Sequence, residues 1–253
     1  DGDLDLFIGK DNGDTAFFRN TGSANAPDYK QESGFGPSEI SNVYGYASPA
    51  FADIDADGDL DLFIGNSLGQ TRFFRNDGSA KSPDFNQEGR NKPFGITNVG
   101  STASPELADI DSDGDLDLFI GDLNGKTSFF RNTAAPGAAT PAYVQQGGDE
   151  PFEIPVVGWN ANPTFADVDH DGDLDLFIGE QVGDLYGRTR FFRNSGSPIA
   201  PAFTQEAGNT PFDIANVGYS SSPAFADIDG DGDLDLFIGN GDEGGTTIFY
   251  RNT

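Results

Sequence analysis

The sequence predicts an all-β protein, a β-propeller of about five four-stranded blades. Three observations carry that prediction. A segment reading DIDADGDLDLFIG from Asp53 returns at Asp109, Asp167 and Asp227, at intervals of 56, 58 and 60 residues. Each interval holds four short apolar segments bounded by Gly, Asn, Asp and Pro, as strands and turns are. These segments are apolar on both faces, with Leu62 and Ile64 opposite Phe63, which suits a sheet buried between two others. A β-solenoid would use shorter repeats, whereas this interval lies somewhat above the roughly 40–50 residues of common blades.

The first strand of each unit is read from SPAFAD at Ser48, SPELAD at Ser104, NPTFAD at Asn162 and SPAFAD at Ser222. The second is LDLFIG, and a half copy, DGDLDLFIG, opens the chain at residues 1 to 9. The third is FFRN at Phe17, Phe73, Phe129 and Phe191, and FYRN at Phe249. The fourth is PDYKQE at Pro27, PDFNQE at Pro83, PAYVQQ at Pro141 and PAFTQE at Pro201. No segment sustains a helical period. The units run 1–48, 49–104, 105–162, 163–222 and 223–253 and are expected to form a single domain. The first lacks its opening strand and the last its closing strand. The chain is therefore expected to be part of a longer one, either a ring closed by a further segment or a larger array.

The 253 residues include 42 acidic and 14 basic side chains, for a net charge of −28. That is the reverse of a nucleic-acid binder, and an anionic membrane surface would repel it. No stretch reaches the ~18 apolar residues of a membrane-spanning helix, so membrane insertion is not expected. There is no cysteine, hence no disulfide and no thiolate metal site. Hydrophobic residues make up 36% of the chain, 23 of them Phe, which is enough for a sizeable core.

The acid is concentrated. The five copies of the loop carry 23 of the 42 acidic residues. Two carboxylates about 4 Å apart repel by roughly 1 kcal/mol in bulk water and ~4 kcal/mol near a protein surface. Alternate aspartates with a glycine at position six are how a chain wraps Ca²⁺ in six to eight oxygens. Side-chain oxygens are expected from positions one, three, five and nine, and the main-chain carbonyl from position seven. In the first complete loop these are Asp53, Asp55, Asp57 and Asp61, with the carbonyl of Asp59. The second has Asp109, Asp111, Asp113 and Asp117, with Asp115; the third has Asp167, Asp169, Asp171 and Asp175, with Asp173. The fourth has Asp227, Asp229, Asp231 and Asp235, with Asp233. Asp1, Asp3 and Asp5 form a partial fifth site without positions one and three. An EF-hand needs a bidentate Glu at position twelve and flanking helices; position twelve here is Ile64, inside a strand. Mg²⁺ keeps more of its waters, and all-oxygen ligands disfavour zinc.

The PAFADIDADGDLDLFIG unit resembles the FG-GAP or VCBS repeat, known from integrin α-chain propellers and many bacterial surface proteins, over essentially the whole chain. The resemblance implies that the calcium loop joins the first and second strands of each blade. It therefore implies that the first blade lacks its innermost strand.

Other residues are weighed against plainer roles. Arg19, Arg75, Arg131, Arg193 and Arg251 recur with the fold and are expected to partner a carboxylate or carbonyl. His170, the only histidine, fills the variable fourth loop position and is expected to be exposed and inert. No G-x-S-x-G elbow or P-loop occurs, so the chain is not expected to be an enzyme. Gly45, Gly158 and Gly218 precede Tyr46, Trp159 and Tyr219, in loops before the first strand and on the side opposite the acidic loops. These aromatics either pack between blades or stack on sugar rings. Inserts at Ala134 to Ala139 and Gly183 to Gly187 lengthen single units, and such inserts often mark a binding face. The expected function is a calcium-stabilised binding or adhesion module outside the cell, taking a glycan or protein ligand at the cell surface. One alternative is a structural or filament-forming repeat protein that self-associates; another is the non-catalytic propeller of a polysaccharide-active enzyme.

Overall fold

The computed structural model describes residues 3–23, 26–32, 40, 42–89, 92–135, 137–148, 150–184, 186–197, 199–206, 208, 211–241 and 244–252. They form five antiparallel sheets, each a meander in chain order, arranged as the blades of a propeller. Blade one is β1 (Leu6–Gly9), β2 (Thr15–Asn20) and β3 (Tyr29–Glu32). Blade two is β4 (Ser48–Ala52), β5 (Asp61–Gly65), β6 (Thr71–Asn76) and β7 (Phe85–Glu88). Blade three is β8 (Ser104–Ala108), β9 (Asp117–Gly121), β10 (Thr127–Asn132) and β11 (Tyr143–Gln146). Blade four is β12 (Trp159–Ala166), β13 (Asp175–Val182), β14 (Tyr186–Asn194) and β15 (Phe203–Gln205). Blade five is β16 (Ser221–Ala226), β17 (Asp235–Asn240) and β18 (Thr246–Tyr250). The described residues include no α-helix, only three 3₁₀ turns.

Two-sided burial holds the sheets together. In β5 and β9 every residue is buried, including Leu62, Phe63, Ile64, Leu118, Phe119 and Ile120. The Phe of the second strand stands directly opposite the first Phe of the third in each blade, as in Phe63↔Phe73 and Phe119↔Phe129. Their ring centroids are 4.8–4.9 Å apart in all five blades, within the range where aromatic pairs attract. The same ring also reaches the next blade: Phe7 lies 4.6 Å from Phe51, Phe119 4.6 Å from Phe165 and Phe177 4.7 Å from Phe225.

The glycine closing LDLFIG sits where the next blade's backbone passes. A Cβ on Gly65 would lie 1.9 Å from the Ala103 carbonyl oxygen, and one on Gly121 2.0 Å from that of Ala161. Only glycine lets adjacent blades approach this closely. The meander places the loop between first and second strands at one end of each blade. The second-to-third-strand turn and the entry to the first strand lie at the other.

Candidate metal centres

Each complete acidic loop folds around its first aspartate. Asp53 Oδ1 accepts the Asp57 N–H at 3.1 Å, and its Oδ2 accepts the Gly58 N–H at 3.0 Å. Asp57 Oδ1 in turn accepts the Asp59 N–H at 3.0 Å. The same three bonds recur around Asp109, Asp167 and Asp227, all between 3.0 and 3.2 Å. The chain turns through left-handed backbone at two positions. Position six is always glycine, with φ from 91° to 97°. Position four is left-handed too: Ala56 φ 57°, Ser112 φ 55°, His170 φ 59° and Gly230 φ 72°.

The consequence is convergence. In every complete loop the carboxylates at positions one, three and five bring one oxygen each to within 4.8 Å of the others. The ninth-position aspartate stands at the start of the second strand, anchored to the third. Asp61 Oδ1 accepts the Asn76 N–H at 2.7 Å, and Asp117, Asp175 and Asp235 make the same bond to Asn132, Asn194 and Asn252. The converging groups include neither these ninth-position aspartates nor the seventh-position side chains of Asp59, Asp115, Asp173 and Asp233. In blade one, Asp1 lies outside the described residues and Asp3 joins no such group. Asp5 keeps the strand anchor, accepting the Asn20 N–H at 2.8 Å.

The recurrent arginine explains FFRN. Arg75 donates through Nη1 to Asp55 Oδ2 and through Nε to Glu88 Oε1 at 3.2 Å, while its guanidinium lies 5.5 Å from the Phe73 ring centre. Arg131, Arg193 and Arg251 likewise reach the third-position aspartates Asp111, Asp169 and Asp229. Arg19 donates through Nε to Glu32 Oε1 at 3.0 Å and approaches Asp5 Oδ2 at 4.0 Å. His170 is exposed, as its position predicts, but faces the neighbouring loop, with Nε2 3.7 Å from Asp233 Oδ1.

One arginine does not satisfy four carboxylates. Asp55, Asp111 and Asp229 each keep Oδ1 buried without a hydrogen-bond partner among the described residues. So do Asp61, Asp117, Asp175 and Asp235 at Oδ2. An unpartnered buried carboxylate oxygen is costly. Here it recurs at position nine in all four complete loops, at position three in three of them, and at position seven in Asp115 and Asp173. Burial, reinforced by the neighbouring aspartates, pushes Asp117 up to about 7. Burial likewise raises Asp61 and Asp175 to about 6, although each also accepts a main-chain N–H. A divalent cation reverses that penalty by supplying positive charge where the oxygens meet. The four loops are thus sites that can hold a metal ion, and their all-oxygen donors fit a hard one.

At the opposite end, Tyr46, Trp159 and Tyr219 are 59%, 53% and 45% exposed, so they do not fill the space between blades. Exposed Tyr44, whose ring centre lies 4.8 Å from the Arg72 guanidinium, joins this surface without having stood out in the sequence. The insert at 134–139 is described apart from residue 136, and that at 183–187 apart from residue 185.

The profile of the FG-GAP-like repeat matches residues 1–64, 53–120 and 109–178, and that of the FG-GAP repeat matches residues 219–250. No curated protein matches the chain in sequence.

Proposed function

Since the chain belongs to the FG-GAP-like repeat family, we propose that it is a calcium-stabilised binding module working outside the cell. The observation that carries the calcium reading is the buried position-nine oxygen without a hydrogen-bond partner among the described residues in all four complete loops, joined at position three in three of them. Calcium takes one oxygen from each of positions one, three, five and nine, and the carbonyl of position seven. Five oxygens from a flexible loop suit Ca²⁺, which takes six to eight ligands in a loose shell, better than Mg²⁺, which demands a tighter octahedron and holds its water. For sites with Kd near 10⁻⁴ to 10⁻³ M, millimolar calcium stabilises by about 0.4–1.4 kcal/mol each. Such concentrations belong to the exterior of cells. Among the described residues, no helix is long and apolar enough to cross a membrane.

Binding falls to the end opposite the loops, where exposed aromatics lie at the entries to blades two, four and five and blade four is lengthened. Tyr46, Trp159 and Tyr219 offer apolar faces with polar edges, which suits the faces of sugar rings. A glycan or glycoprotein is the ligand this surface favours. Two measurements test the reading separately. Chelation with EDTA at low salt lowers the melting temperature by many degrees if calcium holds the loops. A glycan array probed with the native chain and with Trp159→Ala shows binding that the substitution abolishes if the aromatic end is the site. No shift on chelation contradicts the first part, and an array indifferent to Trp159 contradicts the second.

A further inference from the structure

Blade four departs from the repeat at the end opposite the acidic loops. In blades two and three the residue after the second strand's closing glycine caps a tight turn. Asn66 Oδ1 accepts the N–H groups of Leu68 and Gln70, and Asp122 Oδ1 those of Asn124 and Lys126. In blade four the hairpin continues to Val182 and returns from Tyr186, so the equivalent Glu180 lies within a strand. Its carboxylate is fully buried. Oε1 accepts from Arg188 Nε at 2.5 Å, from Arg188 Nη2 and from Arg190 Nε at 2.9 Å, while Oε2 accepts the Gly158 N–H. Two guanidinium groups, with Arg190 Nη1 also donating to Gln205 Oε1 at 3.4 Å, thus gather around one buried carboxylate in a chain of net charge −28. Both line an open cleft of about 310 Å³, and Trp159, the only tryptophan, forms another part of its wall.

Buried ion clusters are weak stabilisers, since well-packed apolar residues of similar volume often do as well. What they do is hold charge in a fixed place. Glu180 orients two planar forks, and such forks are matched to carboxylates. An exposed indole beside them supplies a flat apolar face. We propose that this cleft binds a carboxylate-bearing sugar residue of an acidic glycan, with the ring on Trp159 and the carboxylate against Arg190 and Arg188. The inference rests on the binding-module reading above and specifies its ligand class. The volume is at the low end for small-ligand sites, which suits one or two sugar rings. A polyanion running along the surface past the roughly 8 Å screened reach of the arginines lies against the chain's own negative charge. The site therefore favours an isolated acidic sugar in an otherwise neutral glycan over a densely charged polymer. An acidic peptide side chain carries its carboxylate on a flexible stem, whereas an acidic sugar carries it on the same ring that covers Trp159.

The test uses the calcium-loaded full chain, a tetrasaccharide with a single glucuronate, and the same tetrasaccharide with that carboxyl reduced to an alcohol. Trp159 fluorescence and calorimetry follow the titrations. The acid form should bind about tenfold or more tightly than the reduced form, as expected for charged hydrogen bonds. Arg190→Gln should remove that difference while Glu180 keeps Arg188 and the Gly158 N–H. Should that variant melt early, Arg190→Lys, which keeps the charge without the fork, should retain part of the preference. Equal binding of both forms overturns acidic recognition and leaves glycan binding standing. Binding of neither at millimolar concentration overturns the cleft and the glycan reading together, while the calcium response is read independently by melting. An acidic peptide that competes as well as the tetrasaccharide overturns the sugar assignment.

Discussion

Arg75 and Asp55 form an ion pair that leaves one carboxylate oxygen over: Asp55 Oδ2 accepts from the guanidinium, while Oδ1 is buried without a hydrogen-bond partner among the described residues. Arginine and metal ion thus act on the same carboxylate from two sides. The strand-borne arginine sets where the aspartate points, and the cation neutralises what remains. Since both counter the repulsion within the loop, they partly substitute for one another.

That sharing has a measurable sign. Arg131→Gln, which removes the partner of Asp111, should cost about 1–3 kcal/mol, the usual range for a hydrogen bond to a charged group. The loss should be larger in EDTA than in saturating calcium, because without the ion the arginine is the loop's main positive neighbour. Melting curves of both proteins in both conditions give the comparison. An equal loss in each would mean that arginine and ion do not act on a common charge.

Backbone sign decides a second prediction. Ala56 sits at φ 57°, where an L-residue carries roughly 1–2 kcal/mol of strain and glycine carries none. Ala56→Gly should therefore stabilise by a few tenths to about 1 kcal/mol, after the larger entropy glycine loses on folding is subtracted. Gly58→Ala, two residues on at φ 95°, should destabilise by about 1–2 kcal/mol, although nothing lies within 4 Å of its Cβ position. Urea denaturation in saturating calcium measures both.

Glu106 supplies a pH dependence separate from the metal loops. It stands on β8, where blades two, four and five have Ala50, Thr164 and Ala224. Burial pushes it up to about 7, against the opposing hydrogen bonds from Thr164 Oγ1 at 2.9 Å and the Phe165 N–H. Its folded value lies above the ordinary 4.5, so its stabilising share is complete at acid pH. That share is lost as pH rises through about 7. The loss is at most about 3 kcal/mol, at roughly 1.4 kcal/mol per pH unit, and less where water reaches the carboxylate. Glu106→Gln should flatten stability between about pH 4.5 and 7.5 and raise it at the alkaline end, in denaturation curves taken with calcium saturating.

Repetition makes the blades and the acidic loops legible in the sequence. Phe63 and Phe73 were readable as two-sided strands because a five-fold pattern separates real periodicity from chance. The 3₁₀ turns were not. Phe94, Phe152 and Phe212 adopt φ of 51–52°, which no local preference assigns to a bulky aromatic. Packing decides them: their rings meet Phe73, Phe129 and Phe191 edge-on at 4.7–4.9 Å. The signal lay in the recurrent Pro-Phe-x-Ile at Pro93, Pro151 and Pro211. Glu180 was hidden for a different reason. The insert at 183–187 marked blade four as unusual, but only the lengthened hairpin turns the glutamate inward onto two arginines two and four residues beyond the turn's return.

The most direct test of the calcium assignment is a count of bound ions. Equilibrium dialysis or calorimetry at pH 8 should find four calcium ions per chain, with three in Asp117→Asn, where the orphaned oxygen of one loop loses its charge. Affinity should fall as pH drops through about 7 toward 5, because Asp117, Asp61 and Asp175 must be ionised to coordinate. No calcium bound at millimolar concentration, or four ions still bound in Asp117→Asn with unchanged affinity, would contradict the account.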